Sequence, residues 1–136
     1  MSRHLAPASF TCGATAGNLA SARGFLRRFL AMANWEGHDR DVLIAVGEVL
    51  QNIVRHGFRG GDPRGSIHLE VAVEQGVLLV LIEDDAPPSL PSEWSMSDRP
   101  AEEGGFGLDI IHHLATEVEF APTATGNRAR LAFHPA

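Results

Sequence analysis

Three groups of residues in the 136-residue chain combine side-chain types and spacing that suit chemistry. The first is Glu48, Asn52 and His56, each four residues from the next. On a helix this spacing gives one polar row. At about 100° per residue the row runs beside the apolar stripe of Val46, Val49 and Ile53, leaving Gln51 and Arg55 to solvent. Polar side chains on a core margin need partners. A satisfied helix border supplies them as readily as a bound ligand or metal does. The second group is Asp84, at the exit of the strand-like run Leu81-Ile82-Glu83-Asp84-Asp85. An aspartate there either forms a turn or points a carboxylate into a cleft, where it accepts from a ligand amine. The third is Gly104-Gly105-Phe106-Gly107-Leu108, which runs into a helical pattern. Glycines let the backbone approach a phosphate, and a helix start offers unpaired N–H groups. A lid hinge is the structural alternative.

Several sites are excluded at once. No GxxxxGK[ST] element occurs, so the chain is not a P-loop protein. The glycine cluster follows no first strand and opens no βαβ unit, which rules out a dinucleotide fingerprint. Of the seven histidines, His112 and His113 are adjacent and point different ways on a helix, and no HExxH or Cys/His ligand spacing is present.

The elements that must position these groups follow from hydrophobic period. Residues 5–12 read as a short edge strand, limited by Pro7. Leu19, Ala22, Phe25, Leu26, Phe29 and Leu30 define a helix from Thr15 to about Ala33, with Thr15 or Asn18 as its cap. A second helix starts at Asp39 or Asp41 and ends near His56-Gly57, burying Val42, Val46, Val49, Leu50 and Ile53. The turn-rich stretch from Arg59 to Gly65 precedes an alternating strand, Ser66–Glu74. Gln75-Gly76 then turns the chain into the continuous apolar run Val77–Ile82 of a mid-sheet strand. Residues 86–103, rich in Pro, Ser and acids, read as a long loop of the kind that is usually functional. A short helix, Gly105–Leu114, and two strands, about Glu117–Ala121 and Arg128–Phe133, complete the order. The expected fold is α+β: a two-layer sandwich with helices on one face of a mixed, mostly antiparallel sheet.

Composition agrees with one domain over residues 1–136. Apolar residues make up 44 % and charged residues 21 %, an ordinary globular balance, and the net charge of −6 disfavours a nucleic-acid-binding surface. Arg23, Arg27 and Arg28 cluster on one helix and read as its solvated face. Cys12 stands alone, so no internal disulfide forms, and it suits a small packing residue. Neither a membrane span nor a signal peptide is legible, and the expected location is cytoplasmic.

Taken together, the three groups form a specific pattern. Glu48-Val-Leu-Gln-Asn52-Ile-Val-Arg-His56 resembles the N box of the GHKL ATPase superfamily. Ile82-Glu-Asp84-Asp-Ala86-Pro-Pro88 resembles its adenine box, and Gly104-Gly-Phe-Gly-Leu108 its glycine box. The histidine after the asparagine, the Asp-Asp-x-Pro-Pro run and the closing Thr125-Gly-Asn-Arg-x-Arg-Leu131 are most similar to the bacterial anti-sigma factor serine/threonine kinases. Two positions depart from that pattern: Ala86 stands where a glycine is usual, and Asn127 follows Gly126 where a threonine is common.

The resemblance implies the histidine-kinase-like ATPase (Bergerat) fold and a site for ATP and Mg²⁺. Glu48 would be the catalytic base and Asn52 the metal ligand. Asp84 would accept from the adenine amino group, with His56 and Ala86 at the margin and Gly104, Gly105, Phe106, Gly107 and Leu108 about the phosphates. It further implies phosphorylation of a serine on a STAS-type anti-anti-sigma protein, with a sigma factor or other regulatory target as second partner, and it leaves homodimerisation open. No nucleic acid and no membrane is implied as partner. The alternative is a non-catalytic ATP-binding protein that sequesters its partners.

Overall fold

Alternation in the strands and 3.6-residue spacing in the helices send one set of side chains into a common core. The computed structural model describes residues 5–89 and 107–135. Strand β1 (Ala8–Ala14) leads into helices α1 (Ala16–Met32) and α2 (Asp39–Asn52). The hairpin of β2 (Asp62–Glu74) and β3 (Val77–Asp84) follows, and after it α3 (Gly107–Leu114), β4 (Glu117–Pro122) and β5 (Asn127–Phe133). The sheet order is β1-β2-β3-β5-β4, and every pairing among the described strands is antiparallel. The expected two-layer α+β architecture is present.

The core joins the two layers. From the sheet come Ile67, Leu69 and Val71 of β2, Leu78, Val80 and Ile82 of β3, and Ala129, Leu131 and Phe133 of β5. From the helices come Leu19, Ala22, Leu26, Phe29 and Leu30 of α1, Val42, Ala45, Val46, Val49 and Leu50 of α2, and Ile111 of α3. Each large apolar side chain so buried contributes roughly 1.5–3 kcal/mol. The intervening residues Glu70, Glu119, Arg128 and Arg130 are exposed on the other face of the sheet. Strand β3 lies between β2 and β5, which is why its apolar run is the most continuous in the sheet.

Three local details differ from the sequence expectation. Thr15 is the N-cap of α1, yet its hydroxyl makes no cap bond; it accepts from Asn18 Nδ2 at 3.0 Å, which also donates to Gly13 O at 3.1 Å. Strand β2 starts at Asp62, four residues before Ser66, and pairs back to Ala14. Arg59, Gly60 and Gly61 complete the preceding turn with φ of 51°, 99° and 130°, so the chain is extended again at once. Finally, α2 does not run uniformly to Gly57. Ile53–Gly57 is a π turn, with Phe58 N–H donating to Ile53 O at 3.1 Å. The wider turn carries His56 out of line with Glu48 and Asn52.

Gly126, buried just before β5, passes so close to β3 that an added Cβ would overlap the Asp84 carbonyl oxygen. Gly126→Ala should therefore lower stability by about 1–3 kcal/mol, measured as a lower urea or thermal midpoint. An unchanged midpoint would contradict this close β3–β5 approach.

Candidate functional site

The period of β3 decides where its last carboxylate goes. Leu78, Val80 and Ile82 face the core, so Asp84 faces the same way, under the helices. The β3–β5 register sets Asn127 directly opposite it. Asp84 Oδ1 accepts from the Ala86 N–H at 2.9 Å and from Asn127 Nδ2 at 3.0 Å. Its other oxygen has no hydrogen-bond partner among the described residues. Burial pushes the Asp84 carboxyl above its ordinary value of 3.8, and the Asp85 charge adds to this. The bonds from Asn127 and Ala86 oppose the rise without cancelling it. Asp85, by contrast, is exposed and caps a loop: it accepts from Ser66 N–H at 2.8 Å.

Beside Asp84 lies a narrow, almost wholly apolar cavity. Val49, Ile53 and Gly57 form its helical wall, Phe120, Ala121 and Ala129 its sheet wall, and Ser89 and Asn127 close it near the carboxylate. About 30 Å³ of it is open to the centre of a water molecule. Ala86 packs against Gly57 of the helical wall. It is 1 % exposed, and a Cβ added at Gly57 would lie 3.1 Å from its methyl.

The polar row of α2 meets α3 a short way off. Asn52 is the one buried polar side chain among the described residues, 3 % exposed, and its amide has no hydrogen-bond partner among them. Glu48 is half-buried one turn earlier. Gly107, the first residue of α3, packs over both. A Cβ there would lie 2.9 Å from Glu48 Oε2 and 3.6 Å from both Asn52 amide atoms. A helix start, a carboxylate and an amide thus converge, an arrangement suited to an anion with a hard cation. Among the described residues no group of three or more His, Cys, Asp or Glu gathers to hold a metal. A cation at Asn52 would therefore draw most of its oxygen ligands from its anion and from water.

The expected residues separate into three outcomes. Glu48, Asn52 and Gly107 come together, and Asp84 lies by the cavity with Ala86 packed beside it. His56 is half-buried in the π turn and does not line the cavity, and Leu108 packs against the core. Gly104, Gly105 and Phe106 lie outside the described residues. Elsewhere, His112 and His113 are exposed, with His112 edge-on to Phe120 at 6.3 Å. Cys12 is half-buried against the core, which raises its thiol pKa. No helix among the described residues is long and apolar enough to cross a membrane.

A sequence profile described as the histidine kinase-like ATPase domain matches residues 12–133. No curated protein matches the sequence. Among solved structures, the fold is similar to the RsbU and RsbW domains of Rv1364c from Mycobacterium tuberculosis, with TM-score 0.69 and 22 % identity over 96 % of this chain and 32 % of that one. It is also similar to the histidine kinase domain of the Erythrobacter litoralis EL346 blue-light activated histidine kinase. There the TM-score is 0.55 and the identity 18 %, over 86 % of this chain and 59 % of that one. The chain thus spans about a third to three-fifths of the structures it resembles.

The raised Asp84 pKa has a definite sign. Above the raised value the ionised carboxyl costs the fold stability, and the cost fades as pH falls toward 3.8. Asp84→Asn keeps an oxygen to accept both bonds and removes the charge. It should raise or leave unchanged the melting temperature at neutral pH while weakening ADP binding about 10- to 100-fold. A clear drop in melting temperature, or unchanged ADP affinity, would contradict the assignment.

Proposed function

Because the chain belongs to the histidine kinase-like ATPase domain family, we propose that it binds ATP with Mg²⁺ and phosphorylates a serine of a STAS-type antagonist protein. In this reading it is an anti-sigma-type kinase of a partner-switching circuit, with a sigma factor or similar regulator as second partner. The observation that carries the proposal is the buried Asn52 amide, unpartnered among the described residues, lying with Glu48 beneath Gly107 at the start of α3. The motif resemblance to anti-sigma serine kinases supports the choice of substrate.

Each residue has a role its position suits. Asp84 accepts from the exocyclic amine of adenine, while Val49, Ile53 and Gly57 cover the ring. The Asn52 amide oxygen is a hard donor that fits Mg²⁺, and the bound ion supplies charge neutralisation to the phosphates. The start of α3 faces the same anions. Glu48 receives the serine proton as the Oγ–Pγ bond forms and the bond from Pγ to the β,γ-bridging oxygen breaks, leaving ADP and phosphoserine. The two protein partners then compete through their different affinities for the nucleotide-loaded form, which shifts the population of complexes.

The test combines the purified chain, a STAS-type protein and γ-labelled ATP. Label should appear on a serine of the STAS-type protein. Glu48→Gln should keep ADP affinity within about threefold and lower transfer at least about 100-fold, the scale of a lost general base. Tight ATP binding without transfer to any partner would favour the sequestering, non-catalytic alternative. Undiminished transfer by Glu48→Gln would remove that residue from the role of base.

A further inference from the structure

One side chain at the cavity has every polar atom engaged within the protein. Asn127 Nδ2 donates to Asp84 Oδ1 at 3.0 Å, to Pro87 O at 3.2 Å and, more weakly, to Ala86 O at 3.4 Å. Its Oδ1 accepts from the Ser89 N–H at 2.8 Å. These bonds tie β5 to the end of β3 and to residues 86–89, across about 40 positions of sequence. With Ala86 N–H on the same carboxylate oxygen, they occupy Oδ1 and turn Oδ2 into the outward acceptor. They also fix Ser89, part of the cavity wall.

We propose that Asn127 is the positioning residue for base selection: it orients the Asp84 carboxylate and holds the 86–89 wall, so that the site takes a purine carrying an amine and rejects one carrying a carbonyl. This rests on the ATP-site reading above. Both amide hydrogens of Asn127 are used within the protein and its oxygen already accepts from Ser89, which leaves Asp84 Oδ2 as the carboxylate oxygen without a partner among the described residues. Selection therefore falls to Asp84 Oδ2, which attracts an amine hydrogen and repels a carbonyl oxygen. Were Asn127 absent, the carboxylate would be free to turn, and the Ser89 N–H would lose the acceptor that Asn127 Oδ1 supplies. A base with either group could then be met by a rearranged pocket.

Among the described residues, the charged surroundings of the pair are simple. Just past β3 the neighbour is Asp85, whose carboxylate is turned to the Ser66 N–H. On β5 it is Arg128, which borders the cavity. The helical wall offers Val49, Ile53 and Gly57 and the β4 wall offers Phe120 and Ala121, none of them charged. Replacing the amide by a carboxylate of the same shape would therefore set two carboxylates against each other with only Arg128 among the described lining residues to offset them, and the pair would hold a proton at neutral pH or below.

The experiment measures ADP and GDP affinity by calorimetry for the full chain and for Asn127→Ala and Asn127→Asp, with melting temperatures alongside. For the parent, ADP should bind at least about tenfold more tightly than GDP, on the scale of one charge-assisted hydrogen bond. Asn127→Ala should lose most of that preference together with affinity. Asn127→Asp, which preserves shape if the smaller variant unfolds, should bind ADP poorly at pH 8 and better toward pH 6. The parent should not gain affinity over that interval, since its own Asp84 is better ionised at the higher pH. A merely structural role would lower melting temperature without reversing the pH trend. Unchanged base preference in a folded Asn127→Ala, or an Asn127→Asp affinity that follows the parent with pH, overturns the inference. If the parent itself binds no adenine nucleotide, the ATP-site reading fails and this inference with it.

Discussion

Asp84 can keep a half-buried carboxylate only because β5 lies antiparallel beside β3 and brings Asn127 opposite it. A lone carboxylate so placed would be costly to desolvate. The amide of Asn127 and the N–H of Ala86 reduce that cost without removing it, as the direction of the Asp84 pKa shift records. Gly126 is part of the same constraint, since its bare backbone lets β5 begin in contact with the Asp84 carbonyl. The end of β3 and the start of β5 thus form one hydrogen-bonded corner, and the apolar cavity opens beside it.

The second half of the site depends on α2. Its apolar stripe is pinned to the sheet through Val46, Val49 and Leu50, which fixes Glu48 and Asn52 at the margin where α3 arrives. The Asn52 side chain goes without a hydrogen-bond partner among the described residues, a loss like that of the half-buried, ionised Asp84. Both losses would be recovered on binding a ligand with an amine at one end and a hydrated cation with phosphates at the other. This reciprocity ties the stability of the fold to the proposed function.

Much of this was legible in the sequence, for physical reasons that differ by element. The helices and strands follow from period, and Glu48 and Asn52 share a face because uniform helical geometry holds between them. His56 fell outside that geometry, since a π turn is set by tertiary packing and leaves no simple trace in spacing. The early start of β2 was hidden by glycines and a proline that usually mark loops, although three positive-φ residues finish the turn by Gly61. The role of Asn127 required knowing that β5, not β4, lies beside β3, a long-range pairing that no local pattern encodes. Its one sequence signal was the departure from threonine after Gly126.

The central claim is a single ATP–Mg²⁺ site with its base end at Asp84 and its phosphate end at Asn52 and Gly107. Titration calorimetry of the unmodified chain with ATP, with and without Mg²⁺, tests it most directly. The account predicts one-to-one binding that Mg²⁺ strengthens at least about tenfold, the scale of a hydrogen-bonded or coordinated charge. Absence of ATP binding, or ATP binding indifferent to Mg²⁺, would contradict it.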